Sequence, residues 1–209
     1  VLKPLAAALA DGDRVHAVIR ASGTNTDGRT SGLALPNSRA QADLLERVYA
    51  EAGVAPEEVA YVEAHGTGTQ AGDPAECTAL GQVLGRRRNG AGPLPIGSVK
   101  SNLGHLEAAA GVPGLLKAVL VLRERRIPAT LHLDEPRREI DFTGLGLRPV
   151  GDSLPLSSGD RPAVVGVSGF GFGGVNAHLV LTDAPPLPAS DVVAHGALPV
   201  LVTAHTARA

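Results

Sequence analysis

Two histidines, His65 and His105, stand in glycine-bearing turns that each follow a short apolar run. The first turn reads His-Gly-Thr-Gly-Thr (65–69), and the second reads Val-Lys-Ser-Asn-Leu-Gly-His (99–105). Two imidazoles delivered by short loops can direct two N–H donors at one carbonyl oxygen, which is what a reaction passing through an enolate needs. The sequence therefore predicts oxyanion-stabilising chemistry at these two residues.

The other histidines are weaker candidates for a catalytic role, because a histidine taken alone is more often a core or loop residue than a catalytic one. His178 begins a strand-like run and is predicted to be structural. A zinc site would need a third protein ligand at suitable spacing, and the sequence shows no such cluster, so we expect no metal. The remaining histidines are interpreted as ordinary core or loop residues: His16, His132, His195 and His205.

Two charged residues bracket the second histidine. Lysine is rare in this chain, yet Lys100 lies in the turn that carries His105. A neighbouring ammonium disfavours protonation of an imidazole, and a pair between Lys100 and the carboxylate of Glu107 would hold the geometry. An ordinary ion pair is an equal alternative for Glu107, which could also serve as an acid in the first turn of the next helix.

Hydrophobic periodicity predicts the elements that must position these residues. Strands over Val59–Glu63 and Ile96–Val99 deliver the two histidine turns. The other predicted elements are a strand over Arg14–Arg20, a polar loop over Thr24–Pro36, a helix over about 39–52 capped by Asn37 or Ser38 and ended by Gly53, a helix from Asp73 to about Leu84, and paired strands over Ala163–Val167 and His178–Thr182.

Two helix starts carry specific expectations. Asp73, Pro74 and Glu76 have the spacing of a capping acid, a first-position proline and a capping-box glutamate. The segment Glu107–Leu122 is apolar nearly all round, which predicts a helix buried between two layers. Pro113 removes one hydrogen bond from that helix, and we expect a local bend near its start.

Composition narrows the class of protein. A chain of 209 residues is ordinarily one domain or two small ones, and with 2% aromatic residues its core must consist of Ala, Val and Leu. A net charge of −2 provides no electrostatic attraction for nucleic acid or an anionic membrane. No apolar run reaches transmembrane length, and the single cysteine excludes an internal disulfide, so we expect a cytoplasmic protein.

A third segment reads Gly-Phe-Gly-Gly-Val-Asn-Ala-His (171–178). The three segments in this order resemble the C-terminal half of a β-ketoacyl synthase, the condensing domain of polyketide and fatty acid synthases. The resemblance covers residues 1–183 and implies an α/β, thiolase-like layered αβαβα fold, with a buried central helix between mixed sheets. Residues 184–209, which begin rich in proline, resemble the start of the linker between a ketosynthase and an acyltransferase in a type I polyketide synthase.

The resemblance implies a decarboxylative Claisen condensation between an acyl thioester and a malonyl-type extender carried on the phosphopantetheine of an acyl carrier protein. No cofactor is expected to bind directly. The implied partners are the carrier protein, an adjacent acyltransferase domain and a second copy in a homodimer, without nucleic acid or membrane. The implied roles are enolate stabilisation for His65 and His105, support of that site for Lys100 and Glu107, phosphopantetheine contact for Thr67 and Thr69, and a gate with an oxyanion-binding backbone for Phe172 and Gly173.

The nucleophilic cysteine of the family is expected before Val1. Cys77 lies on the apolar face of a predicted helix, so we interpret it as a buried structural residue. These 209 residues alone are therefore expected to be inactive in condensation. The alternative is a non-condensing relative, either a malonyl decarboxylase or a scaffold that docks carrier proteins and holds a dimer, and the identity of the upstream nucleophile would discriminate between them.

Overall fold

The computed structural model describes residues 1–32, 35–159 and 161–185. The predicted linker over 184–209 therefore lies outside the described residues, apart from its first two. The strands are β1 (Ala17–Thr26), β2 (Val59–Glu63), β3 (Leu94–Gly97), β4 (Arg126–Ile127), β5 (Leu147–Pro149), β6 (Leu154–Pro155), β7 (Val164–Phe170) and β8 (Val175–Asp183). The α-helices are α1 (Leu5–Ala10), α2 (Ser38–Ala52), α3 (Gly72–Val83), α4 (Lys100–Leu103) and α5 (Gly111–Glu124), with 3-10 turns at Pro56–Glu58, Gly85–Arg87 and Glu107–Ala109.

Six strands form one mixed sheet in the order β1-β8-β7-β2-β3-β5, and β4 pairs with β6 in a separate two-stranded ribbon. Strands β7, β2, β3 and β5 are parallel, whereas β8 is antiparallel to both of its neighbours. The carboxyl ends of the parallel strands therefore meet at one edge of the sheet, which is where ligands bind in open α/β sheets. Both predicted histidine turns and the turn between β7 and β8 follow strands that end at this edge.

Helices cover both faces of the sheet. Alternate residues of each strand point to opposite sides, so Val62 and Val180 pack with α2 and α3, whereas Tyr61 and Leu181 pack with α5. The larger core lies beneath α2 and α3 and includes Leu44, Leu45, Val48, Leu80 and Leu84, each almost fully buried. Burial on both faces explains why β2 and β7 are apolar through most of their length.

The structure confirms the helix that was predicted over about 39–52, including both of its ends. Asn37 is the N-cap, and its side chain accepts hydrogen bonds from the backbone N–H groups of Arg39 and Ala40. Gly53 ends the helix in the left-handed conformation, with φ of 62°, which glycine adopts without a steric penalty. The strand predicted over Val59–Glu63 also has the bounds that the sequence indicated.

The first strand begins later and extends further than the predicted Arg14–Arg20: β1 starts at Ala17, and residues 24–26 belong to it and not to a polar loop. Thr24, Asn25 and Thr26 pair with Ala177, Asn176 and Val175 of β8. The side-chain amide of Asn25 donates to the carbonyl of Ala40 on α2. Cross-strand pairing and this tertiary hydrogen bond outweigh the low strand propensity of a polar run.

The apolar helix also differs from its prediction. The chain forms a 3-10 turn at Glu107–Ala109 and then α5 from Gly111, so Pro113 falls in the first turn, where its missing N–H breaks no helical hydrogen bond. One face of α5 packs on the sheet, whereas Val112, Leu116 and Leu120 are exposed. Within the described residues, α5 is therefore covered on one face, by the six-stranded sheet, and not all round.

No helix among the described residues is both long enough and apolar enough to cross a membrane.

Candidate active site

The sheet edge brings the two predicted histidines together. His65 follows β2 and His105 follows β3, and their ring centroids lie 5.7 Å apart in an edge-to-face arrangement. The ring of Phe170, the last residue of β7, lies 5.6 Å from that of His65. Three neighbouring parallel strands thus each contribute one residue or turn to the same small region.

Hydrogen bonds from α3 and from Arg137 hold the turn that carries His65. The carboxylate of Glu76 on α3 is buried and accepts hydrogen bonds from the N–H groups of His65 (2.8 Å) and Gly66 (2.9 Å). Asp73 accepts from the N–H of Gly68, and Arg137 donates to the carbonyl of Gly68. Because both sides of the turn are bonded in this way, the His65 backbone has little freedom to move.

The capping-box interpretation of this helix start is therefore wrong. Helix α3 begins at Gly72 after Ala71, which makes no side-chain capping hydrogen bond. The carboxylates of Asp73 and Glu76 instead bond the histidine turn that precedes the helix. Asp73 and Glu76 bond the turn that carries His65 because this turn folds back over the N-terminus of α3.

His105 is oriented by the backbone of Glu107. The N–H of Glu107 donates to Nδ1 of His105 at 2.9 Å, and Glu107 adopts a positive φ of 48° to reach it. The Glu107 carboxylate is exposed and lies 3.9 Å from the same nitrogen. Among the described residues it forms no ion pair with Lys100, so the predicted lysine–carboxylate pair is not present. The positioning comes from the main chain of Glu107.

A hydrogen bond indicates which ring nitrogen of His105 carries the proton. Nδ1 of His105 accepts a hydrogen bond and so has no proton when the ring is neutral. His105 is thus assigned as the Nε2–H tautomer, which makes its Nε2 a hydrogen-bond donor. Nδ1 of His65 is buried without a hydrogen-bond partner among the described residues.

Electrostatics keeps His65 neutral. Burial, followed by the nearby charge of Lys100 and by His105, lowers the pKa of His65 from 6.5 to about 4. Burial also lowers the pKa of Lys100, although the carboxylates of Glu76 and Glu63 oppose that effect. Burial raises the pKa of Glu76 to about 7, against the two amide hydrogen bonds that favour its ionised form.

Two threonine hydroxyls lie beside His65. The Thr69 hydroxyl accepts from the N–H of Gly72 and lies 3.4 Å from the Thr67 hydroxyl. Thr67 is half-buried and Thr69 is exposed. Each hydroxyl has more hydrogen-bonding capacity than these contacts use, because it combines one donor with two acceptor lone pairs.

The glycine-rich segment forms the tight turn between β7 and β8. Gly174 donates to the carbonyl of Gly171 across the turn, and Phe172 at its tip is 80% exposed. Within the described part of the chain, no main-chain carbonyl accepts a hydrogen bond from the backbone N–H of Phe172 or Gly173. Asp27, which follows β1, supports the turn, because its N–H donates to the Gly174 carbonyl and its carboxylate accepts from the side chain of Asn176.

Two residues that the sequence predicted to be structural are buried in the core. Cys77 is 7% exposed on α3, and burial raises the pKa of its thiol to about 12. His178 is fully buried between the hydroxyls of Ser168 (3.1 Å) and Tyr49 (3.2 Å), and burial lowers its pKa to about 3. A thiol with the pKa of Cys77 is a poor nucleophile at neutral pH.

Sequence reasoning missed two buried carboxylates, Glu63 and Glu76. Glu76 was hidden by its match to a capping box. Glu63 was taken only as the last residue of a strand, although a charge directly after the apolar run Val59–Val62 is itself unusual for a strand buried on both faces. That break in the apolar pattern was the available signal.

Comparison with known proteins gives the same family for most of the chain. Residues 16–134 match the family described as "Beta-ketoacyl synthase, C-terminal domain", and residues 136–209 match "Ketoacyl-synthetase C-terminal extension". The chain is 54% identical over 188 residues to polyketide synthase GfsA of Streptomyces halstedii, covering 88% of this chain and 2% of that protein. It is 46% identical over 188 residues to 5-methyl-1-naphthoate synthase of Streptomyces sahachiroi, covering 90% of this chain and 10% of that protein.

Solved structures agree with these sequence relatives. A ketosynthase from module 6 of the bacillaene synthase of Bacillus subtilis superposes with a TM-score of 0.83 and 39% identity, covering 88% of this chain and 34% of that one. An oxazolomycin ketosynthase domain from Streptomyces albus gives a TM-score of 0.82 and 39% identity, covering 90% and 34%. The fold is therefore thiolase-like, and the chain spans about a third of these ketosynthases. The chain belongs to the β-ketoacyl synthase family and corresponds to the C-terminal portion of a ketosynthase domain of a type I polyketide synthase.

Proposed function

We propose that this chain supplies the enolate-stabilising part of a β-ketoacyl synthase that catalyses decarboxylative condensation during polyketide chain elongation. The observation that carries the proposal is the pair of imidazoles of His65 and His105, whose ring centroids are held 5.7 Å apart by two loops at one sheet edge. An N–H donor from each ring would stabilise negative charge that develops on an oxygen between them.

The proposed reaction begins with decarboxylation. The malonyl carboxylate leaves as carbon dioxide, and its bonding electron pair forms an enolate whose oxygen accepts a hydrogen bond from one N–H group of each imidazole. The enolate carbon then attacks the carbonyl of an acyl thioester on the family's cysteine, and that thiolate is the leaving group. A neutral His65 suits this role, because it is a donor that releases no proton at neutral pH.

The neighbouring residues support the roles that the family resemblance implies. The hydroxyls of Thr67 and Thr69 would hydrogen-bond the amides of a phosphopantetheine arm on a carrier protein, and both have unused hydrogen-bonding capacity beside His65. The N–H groups of Phe172 and Gly173 would donate hydrogen bonds to the acyl oxyanion, with the exposed ring of Phe172 as a gate. Lys100 disfavours protonation of His65, and the main chain of Glu107 orients His105.

The remaining parts of the proposal concern the larger protein. We expect a second sheet of the layered αβαβα domain to cover the exposed face of α5. We also expect a homodimer and an acyltransferase domain joined through residues 184–209.

The test uses the full-length protein loaded with an acyl group and given a malonyl thioester of pantetheine, with carbon dioxide release and formation of condensed product as the readouts. His65→Ala and His105→Ala should each lower kcat by about 100-fold or more, as loss of an oxyanion donor does. His16→Ala is the matched control, because His16 is exposed and directly precedes Ala17, which pairs with Asp183 at the end of β8 opposite the glycine-rich turn. Unchanged decarboxylation in both variants would overturn the proposal, and decarboxylation without any condensed product would instead indicate the non-condensing alternative.

A further inference from the structure

A buried polar cluster lies at the ends of β2 and β3, from which the two histidine loops start. The mechanism proposed above assigns this cluster no role. At its centre is Glu63, the last residue of β2, which is 1% exposed. Its Oε2 lies 2.8 Å from the ammonium of Lys117 on α5 and accepts a hydrogen bond from the Tyr61 hydroxyl at 2.6 Å. Its Oε1 accepts a hydrogen bond from the backbone N–H of Val99 at 2.5 Å.

The cluster leaves no room for a side chain at position 97. Gly97 of β3 faces it, and a Cβ at that position would lie 2.8 Å from the Tyr61 hydroxyl and 2.7 Å from Thr130 Oγ1. The ammonium of Lys117 lies 5.5 Å from the centre of the Tyr61 ring. Burial and the adjacent Glu63 raise the pKa of Tyr61, so its hydroxyl remains a donor to the carboxylate.

Stability alone is a weak reason for such a pair. Two buried charges lose their hydration, and replacing a buried ion pair with well-packed apolar side chains is often neutral or stabilising. The hydrogen bond to Val99 is what an apolar replacement could not supply.

The hydrogen bond between Val99 and Glu63 connects the two histidine loops. Glu63 is two residues before His65. Val99 immediately precedes α4, which begins at Lys100 and leads through Gly104 to His105. One carboxylate on a rigid strand therefore ties the start of the second histidine loop to the strand that carries the first.

We propose that Glu63 is a positioning residue that sets the separation of His65 and His105 by accepting the Val99 N–H, with Lys117 supplying the opposite charge that its burial requires. The inference rests on the proposed function. A displacement of about 1 Å at a reacting group can cost on the order of 100-fold in rate, so a single lost bond at this point is measurable.

The decisive comparison is between two double variants of the full-length protein. Glu63→Gln with Lys117→Met keeps an oxygen that can accept the Val99 N–H, whereas Glu63→Leu with Lys117→Met does not. Both remove the ion pair, so a role of the charges affects them alike. The leucine variant also leaves the Tyr61 hydroxyl without its acceptor, and the Val99 pair below separates that loss from loss of the Val99 bond. We expect the leucine double variant to lose about 10- to 100-fold in kcat for malonyl-pantetheine decarboxylation, with KM within about twofold, while the glutamine double variant retains most of its kcat.

A second pair removes the donor instead of the acceptor. Val99 has φ of −67°, which matches the angle that proline imposes, so Val99→Pro deletes the N–H with little strain at that residue. Val99→Ala shortens the side chain and keeps the N–H. We expect kcat to fall at least about 10-fold in the proline variant and less than about threefold in the alanine variant. This pair decides the question alone if the leucine double variant does not fold.

Equal kcat values within each pair would overturn the inference while leaving the proposed function intact. A wild-type protein that does not decarboxylate malonyl-pantetheine would overturn the proposed function before any variant is compared, and this inference would fall with it. Thermal unfolding of every variant separates loss of rate from loss of folded protein.

Discussion

Gly66 rests directly against Ser98, so the loop that carries His65 packs on the start of the loop that carries His105. A Cβ on Gly66 would lie 2.7 Å from Ser98 Cβ and 3.0 Å from Ser98 Oγ, closer than side chains ordinarily approach. Gly66 also adopts a positive φ of 47°. Only glycine satisfies both the conformation and the close approach.

Replacing Gly66 with alanine should therefore separate the two histidine loops. We expect Gly66→Ala to lower kcat for malonyl-pantetheine decarboxylation by about 10- to 100-fold. The matched control is Gly53→Ala, at φ of 62° with no atom within 4 Å of the new Cβ. It carries the conformational cost of about 1–2 kcal/mol without the clash and should leave kcat unchanged. Similar losses of kcat in both variants would contradict the loop contact.

Glu76 should affect both stability and activity through the two backbone N–H groups whose hydrogen bonds it accepts. In Glu76→Gln, one backbone N–H of the His65 turn loses its acceptor, and we expect a cost of about 1–3 kcal/mol in the free energy of unfolding. Because burial raises the pKa of Glu76 to about 7, the ionised form that accepts both amides gains population as pH rises through about 7. The decarboxylation rate should therefore rise with pH across this region in the wild type. The same rise in Glu76→Gln would exclude Glu76 as its source.

His178 should make the free energy of unfolding depend on pH in the acidic range. Its pKa in the folded protein is about 3, below the ordinary 6.5, so the unfolded chain binds the extra proton between these values. The contribution of neutral His178 is present above pH 6.5 and is lost as pH falls toward 3, by about 1.4 kcal/mol per unit. Thermal unfolding across this range should show a shallower slope in His178→Asn, whereas His16→Asn should keep the wild-type slope. Equal slopes in wild type and His178→Asn would contradict the assignment.

Cys77 should carry no acyl group. Its thiol is buried on α3 with a pKa raised to about 12, so it lacks both the access and the thiolate fraction that acyl transfer needs. We expect Cys77→Ala to leave acyl loading of the full-length protein unchanged when loading is measured by mass spectrometry of the intact protein. An acylated peptide that contains residue 77 would overturn this prediction and reopen the choice of nucleophile.

The sequence by itself determined the local features that depend on near neighbours. Asn37 and Gly53 mark the ends of α2 because capping and left-handed conformations are properties of a few adjacent residues. The strand at Val59–Glu63 is evident from its apolar run. The turns around His65 and His105 indicated the chemistry, and together with the segment around Phe172 they carried the resemblance to the β-ketoacyl synthase family.

Only the tertiary structure decided what distant residues do to one another. It turned the apparent capping box of Asp73 and Glu76 into supports for the His65 turn, and it drew residues 24–26 into β1 by pairing them with β8. It showed that the main chain of Glu107 positions His105, where the sequence predicted a pair between Lys100 and the Glu107 carboxylate. The reason is common to all three: a polar group bonds whatever folding brings within about 3 Å, and sequence spacing records that distance only within a helix or a turn.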